Sequence, residues 1–197
     1  MANICMDTVV FHAASEGQEK GLAALAQAVN GCYPGGTSAG GTGLCRIFGQ
    51  EGIPTEGMSL RSNVVDVSPG GGRVTMYCDS AWSPMYEAYL AIASHFGVSF
   101  ELEAEEPGCG VYINTDTDGA YLPDRYKACL SERPSDGSLD MLFDSAHGET
   151  DLYFYSDKEL LQWFRERGGI GAESIGALRE MLDTGHVSIH EFVNPYQ

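Results

Sequence analysis

The chain predicts an α+β fold in which elements ordered β-α-β-β-α-β lay helices on one face of an antiparallel sheet. Three stretches carry that expectation. An apolar strand at residues 3–13 runs into a segment of helical period. Two β-rich runs within residues 63–79 flank a glycine turn. Residues 73–110, RVTMYCDSAWSPMYEAYLAIASHFGVSFELEAEEPGCG, read in turn as strand, corner, amphipathic helix, strand and turn.

Taken in order, Ile4, Met6, Val9, Val10 and Phe11 supply the β-branched and apolar content of the first strand. Ser15 and Gln18 have the form of a capping box. Leu22, Leu25, Ala26 and Val29 then recur on one helical face, and Gly31 supplies the stop. Residues 31–61 are too rich in glycine for a regular element and read as a long loop, with a short buried piece at 44–48. NVVDV (63–67) and RVTMYCD (73–79), joined by SPGGG, form a hairpin.

Ser83 reads as an N-cap with Pro84 at the first helical position, and Glu87 faces the helix dipole. Tyr86, Tyr89, Leu90, Ala93 and Phe96 make the apolar stripe, and Gly97 ends the helix. Val98, Phe100, Leu102 and Ala104 alternate with Ser99, Glu101, Glu103 and Glu105, a strand with one buried and one acidic face. This is the ferredoxin-like order.

Residues 110–115 and 120–130 read as an extra hairpin that closes a first domain at 1–130. The polar, turn-rich residues 131–150 read as a linker or insertion. Residues 151–197 give a β-α-α-β extension: the strand DLYFY, a helix opened by Ser156 and Glu159, a helix carrying Ile175 and Leu178, and a last strand from His186. About 45 residues make a weak core alone, so the extension is expected to pack on the same body.

Composition narrows the function classes. With 43% hydrophobic residues among 197, the chain can bury a proper core. Twenty-eight acidic against 11 basic residues leave a net charge of -17, which repels nucleic acid and anionic lipid. No run approaches a membrane span and the start lacks a basic leader, so a cytoplasmic location is expected. Six scattered cysteines without a CxxC pair read as reduced, apolar fillers.

The catalytic and metal signatures are each incomplete. GTSAG (36–40) has the G-x-S-x-G form with Ser38 as nucleophile, but lacks the strand-turn-helix setting. NTDTDG (114–119) opens like a calcium loop, yet Arg125 stands where the bidentate glutamate belongs, so a turn explains it better. His186 and His190 on a strand lie roughly 13 Å apart, too far for one ion. The expectation is therefore no catalytic set, no metal and no cofactor.

What remains is a candidate interaction patch of Tyr77, Asp79, Trp82, Glu101, Glu103, Glu105 and Tyr112. The glutamates read first as a solvated strand face. Trp82 reads first as a plug pinning the strand-to-helix corner, and if exposed it would mark a binding surface.

MANICMD at the start, DSAWSP (79–84) and FELEAEEPGCG (100–110) resemble the YubB-type ferredoxin-like domain family of plasmids and phages, over residues 1–130. Met85 stands where a second proline is usual, and residues 31–61 depart in composition. The resemblance implies a ferredoxin-like fold, a mobile-element setting in a bacterium, no established activity and no catalytic residue.

The sequence thus does not fix a function. The expectation is an acidic, non-enzymatic interaction or regulatory protein that meets a partner protein. One alternative is a nucleic-acid mimic that occupies a basic site on a host DNA-binding enzyme. The other is a hydrolase using Ser38. Oligomeric state stays open.

Overall fold

The computed structural model describes residues 3–34, 42–182 and 185–197. The chain divides into two compact units, residues 3–116 with Tyr196, and residues 117–195 with Gln197.

In the first unit, strands β1 (Ile4–His12), β2 (Thr42–Gly43), β3 (Ser62–Gly70), β4 (Arg73–Ala81), β5 (Ser99–Glu106) and β6 (Val111–Asn114) form one antiparallel sheet. Its order is β2-β3-β4-β1-β5-β6. The inner four strands keep the ferredoxin-like arrangement, with β1 central because it pairs with both β4 and β5. Gly71 and Gly72 both have positive φ, 60° and 75°, and close the β3–β4 hairpin in two residues.

Helices α1 (Glu19–Cys32) and α3 (Tyr86–Phe96) supply Leu25, Val29, Tyr89 and Ile92 to a core shared with Val9, Phe11, Met76 and Leu102 of the sheet. Directly opposed residues share a face, so Val9↔Met76, Phe11↔Val74 and Val9↔Leu102 identify the helix-covered side. A Cβ on Gly21 would lie 1.9 Å from the carbonyl oxygen of Phe96, so α1 meets the end of α3 at backbone distance.

Several local expectations shift. Ser15 makes no side-chain cap; a 3-10 turn intervenes and the Ala14 amide donates to Gln18 Oε1 at 2.6 Å. Gly31 lies inside α1, which ends at Cys32. The glycine-rich stretch read as loop contains α2 (Cys45–Glu51), held by buried Ile47 and Phe48 and ended by Gly52 at φ 67°. Two apolar side chains on one turn sufficed where composition argued against order. The N-cap position of α3 is Met85 rather than Ser83, and its side chain makes no cap.

The expected extra hairpin does not form. β6 pairs with β5, whereas β7 (Tyr126–Leu130) is the centre of a separate three-stranded sheet between β8 (Asp151–Phe154) and β9 (Val187–Glu191). The first unit therefore ends near Asp116, not at residue 130. Residues 131–150 are not a bare linker either. They hold α4 (Asp140–Ser145), whose Leu142 is buried with Leu160 and Phe164 of α5 (Asp157–Glu166) and Leu178 of α6 (Ile175–Met181). Among the described residues no helix is long and apolar enough to cross a membrane.

Candidate interaction surface

The register puts Tyr77, Asp79, Glu101, Glu103, Glu105 and Tyr112 on the sheet face away from α1 and α3. Thr8 opposes Tyr77 and Glu103, Met6 opposes Asp79 and Glu105, Val10 opposes Glu101, and Glu105 opposes Tyr112. They alternate with the core residues because side chains along a strand point to opposite faces.

That face is uneven. Ile4 (57% exposed), Met6 (53%) and Tyr77 (42%) stand in solvent, with Val65, the extra residue of a bulge in β3, beside them. Asp66, Asp79, Glu101 and Glu103 are half-buried around them. Glu105 and Tyr112 are buried, so they leave the surface the sequence suggested. Met6 and Ile4 were absent from that patch and belong in it: their even positions in β1 assign them to the face opposite Cys5, Val9 and Phe11.

The acids are engaged, not merely solvated. Thr115 Oγ1 donates to Glu101 Oε2 at 2.6 Å, and Asn114 Nδ2 donates to Glu103 Oε2 at 3.1 Å. His12 Nε2 lies 4.0 Å from Glu101 Oε1. Burial pushes the imidazole below its ordinary value, while Glu101 and Asp116 pull it back up. This brings together one acid and one base that hydrolysis would need, but His12 is only 8% exposed. Ser38 lies outside the described residues. His95 sits in the last turn of α3, edge-on to Phe96.

Trp82 follows the last residue of β4 with φ 73°, a left-handed backbone that disfavours a bulky residue, and its amide donates to the Asn3 carbonyl at 3.0 Å. It is 45% exposed, so it is not the core plug the corner suggested. Pro84 and Met85 take the buried positions instead. A cleft of about 450 Å³ opens there, lined by Met58, Arg61, Trp82, Pro84, Met85 and Tyr86, with Glu87 also on its wall. Burial raises the Tyr86 hydroxyl, and Glu87 and Glu101 add to the rise.

Beneath the corner lies Asp7, a residue the sequence reading missed. Its Oδ2 accepts from Ser80 Oγ (2.6 Å), Tyr89 Oη (2.6 Å) and the Met85 amide (3.4 Å). The start of α3 is thus capped by a carboxylate from β1. Burial raises the carboxyl above its ordinary value, and the bonds from Ser80 and Tyr89 pull it partly back. The signal was present: Asp7 shares odd parity with Cys5, Val9 and Phe11, a charge on the buried side. Burial also raises the neighbouring thiols, Cys78 to about 12, which makes them fillers rather than nucleophiles.

No curated protein and no solved structure matches the chain. A family model described as the ferredoxin-like domain in Api92-like protein matches residues 63–124, that is 62 of 197 residues and just under a third. The match spans β3, β4, α3, β5 and β6, which include the Trp82 corner and the part of the open face that carries Tyr77, Asp79, Glu101 and Glu103; β1, with Ile4 and Met6, lies outside it. With the strand order, it identifies the chain as one that carries a ferredoxin-like α+β domain.

Proposed function

We propose that the chain is a binding module, not an enzyme, whose open sheet face takes a basic, apolar segment of a partner protein. The observation that carries this is the cluster of Ile4, Met6 and Tyr77, solvent-facing on adjacent strands and bordered by carboxylates. Isolated exposed apolar residues mean little, but a contiguous group on one sheet face marks an interaction site. The bordering Asp79, Glu101 and Glu103 and the net charge of -17 favour a cationic partner by steering and by charge complementarity.

The mimic reading is weaker. A phosphate-like display needs carboxylates in unbroken rows, whereas Asp79, Met6 and Glu105 alternate across the strands and Glu105 is buried. The YubB-type resemblance supports a setting on a bacterial mobile element. The match to the Api92-like domain names a fold and no function.

The test is capture from host extract on the full chain beside the double variant Met6→Ser/Tyr77→Ala. A specific protein should be retained by the wild type, be released as salt is raised from about 0.1 to 0.5 M, and be lost at least tenfold by the variant. Equal retention by both chains, or retention indifferent to salt, would overturn the reading.

A further inference from the structure

The Trp82 cleft is a second site, independent of the open face, and we infer that it binds a small flat apolar monocarboxylate. Its volume of about 450 Å³ falls within the range of small-ligand pockets. Its walls include the ring of Trp82, the ring of Tyr86 stacked on Tyr196 at 3.6 Å, and the thioether of Met58, which leaves the exposed Trp82 ring to take a planar apolar group.

Two charged residues line it, Arg61 and Glu87. Glu87 stands in the first turn of α3, exposed to solvent, where the helix dipole already favours its charge. Arg61 is exposed and makes no ion pair among the described residues. The lining thus carries one cation and one anion, neither in an ion pair among the described residues, and of the two the Arg61 guanidinium fork is the group that fits a carboxylate bidentately. The total of -17 penalises each further negative charge, which selects a monoanion over a phosphate.

Trp82 adds a separate indication. An exposed tryptophan held at φ 73° costs stability that a glycine would not, and such outliers collect at binding sites. A free aromatic acid and a peptide ending in an aromatic residue offer the same chemistry.

The experiment follows the indole N–H signal of Trp82 by NMR, with Trp163→Phe assigning the two indoles. Titrants are 1-naphthoate, 1-naphthalenemethanol, 1-naphthylmethylammonium, and a tetrapeptide ending in phenylalanine with a free or an amidated carboxylate. Naphthoate should shift Trp82 and bind at least tenfold tighter than the alcohol. Arg61→Gln should remove that advantage while leaving the alcohol within about twofold, and Trp82→Gly should weaken both. Free peptide tighter than naphthoate assigns the ligand to a chain end, and the reverse order to a free acid. Equal binding of acid and alcohol, tighter binding of the ammonium, or an unmoved Trp82 signal at millimolar titrant would overturn the site.

Discussion

Asp7 Oδ2 and the Tyr89 hydroxyl lie 2.6 Å apart across 82 residues of sequence, which ties the central strand to the helix that frames the Trp82 corner. The same oxygen holds Ser80 and the Met85 amide, so one carboxyl fixes where β4 ends and α3 begins. Asp7→Ala strands these donors in the core and should cost about 3 kcal/mol in urea unfolding.

Asp7 also sets a pH dependence. Burial raises its folded pKa above 3.8, so the folded state holds this proton more tightly than the unfolded chain. Its contribution is full below the unfolded value and declines as pH rises through the folded one. Asp7→Asn lacks that proton. Unfolding free energies of the pair, measured from pH 4 to 8, should show the wild type losing stability relative to Asp7→Asn as pH rises.

His12 acts in the opposite sense. Burial lowers its pKa below 6.5 despite Glu101 and Asp116, so the unfolded chain takes up the proton first. Stability rests on the neutral ring and is lost as pH falls from about 6.5 through the folded value. Urea midpoints between pH 7.5 and 5 should fall further for the wild type than for His12→Gln.

Gly21 tests the helix contact. With the Phe96 carbonyl 1.9 Å from a built Cβ, Gly21→Ala forces α1 off α3 despite alanine's better helix propensity. It should lower stability by at least about 2 kcal/mol, where Gly49→Ala, with open space around it, should not.

At Trp82 the backbone predicts an inversion of the usual order. Trp82→Gly should be more stable than Trp82→Ala by about 1 kcal/mol, because only glycine takes φ 73° without strain. Thermal melts of the two variants decide it.

Much of this architecture was legible because local signals and fold agree. The parity of Val98 to Glu105 assigned both faces of β5, and the glycine turn set the β3–β4 register. Gly21, the separation of β6 from β7 and the bonding of Asp7, beyond its place on the buried side, were not legible in that way. Each depends on a partner far along the chain: Tyr89 for Asp7, Phe96 for Gly21, and β8 and β9 for β7. Local pattern assigns a strand, but its neighbour follows from which hydrophobic faces meet. Of the candidate surface, Tyr77, Asp79, Glu101 and Glu103 followed from alternation. Burial then removed Glu105 and Tyr112 and added Ile4 and Met6.

The docking role of the open face is tested most directly by photocrosslinking, with p-benzoylphenylalanine in place of Tyr77 and, as a control, of the exposed Tyr155 in the second unit. In host extract one dominant adduct is expected at position 77, carried by a basic segment of a single protein, absent at 155 and abolished by Met6→Asp. Equal adducts at both positions, or none at 77, would contradict it.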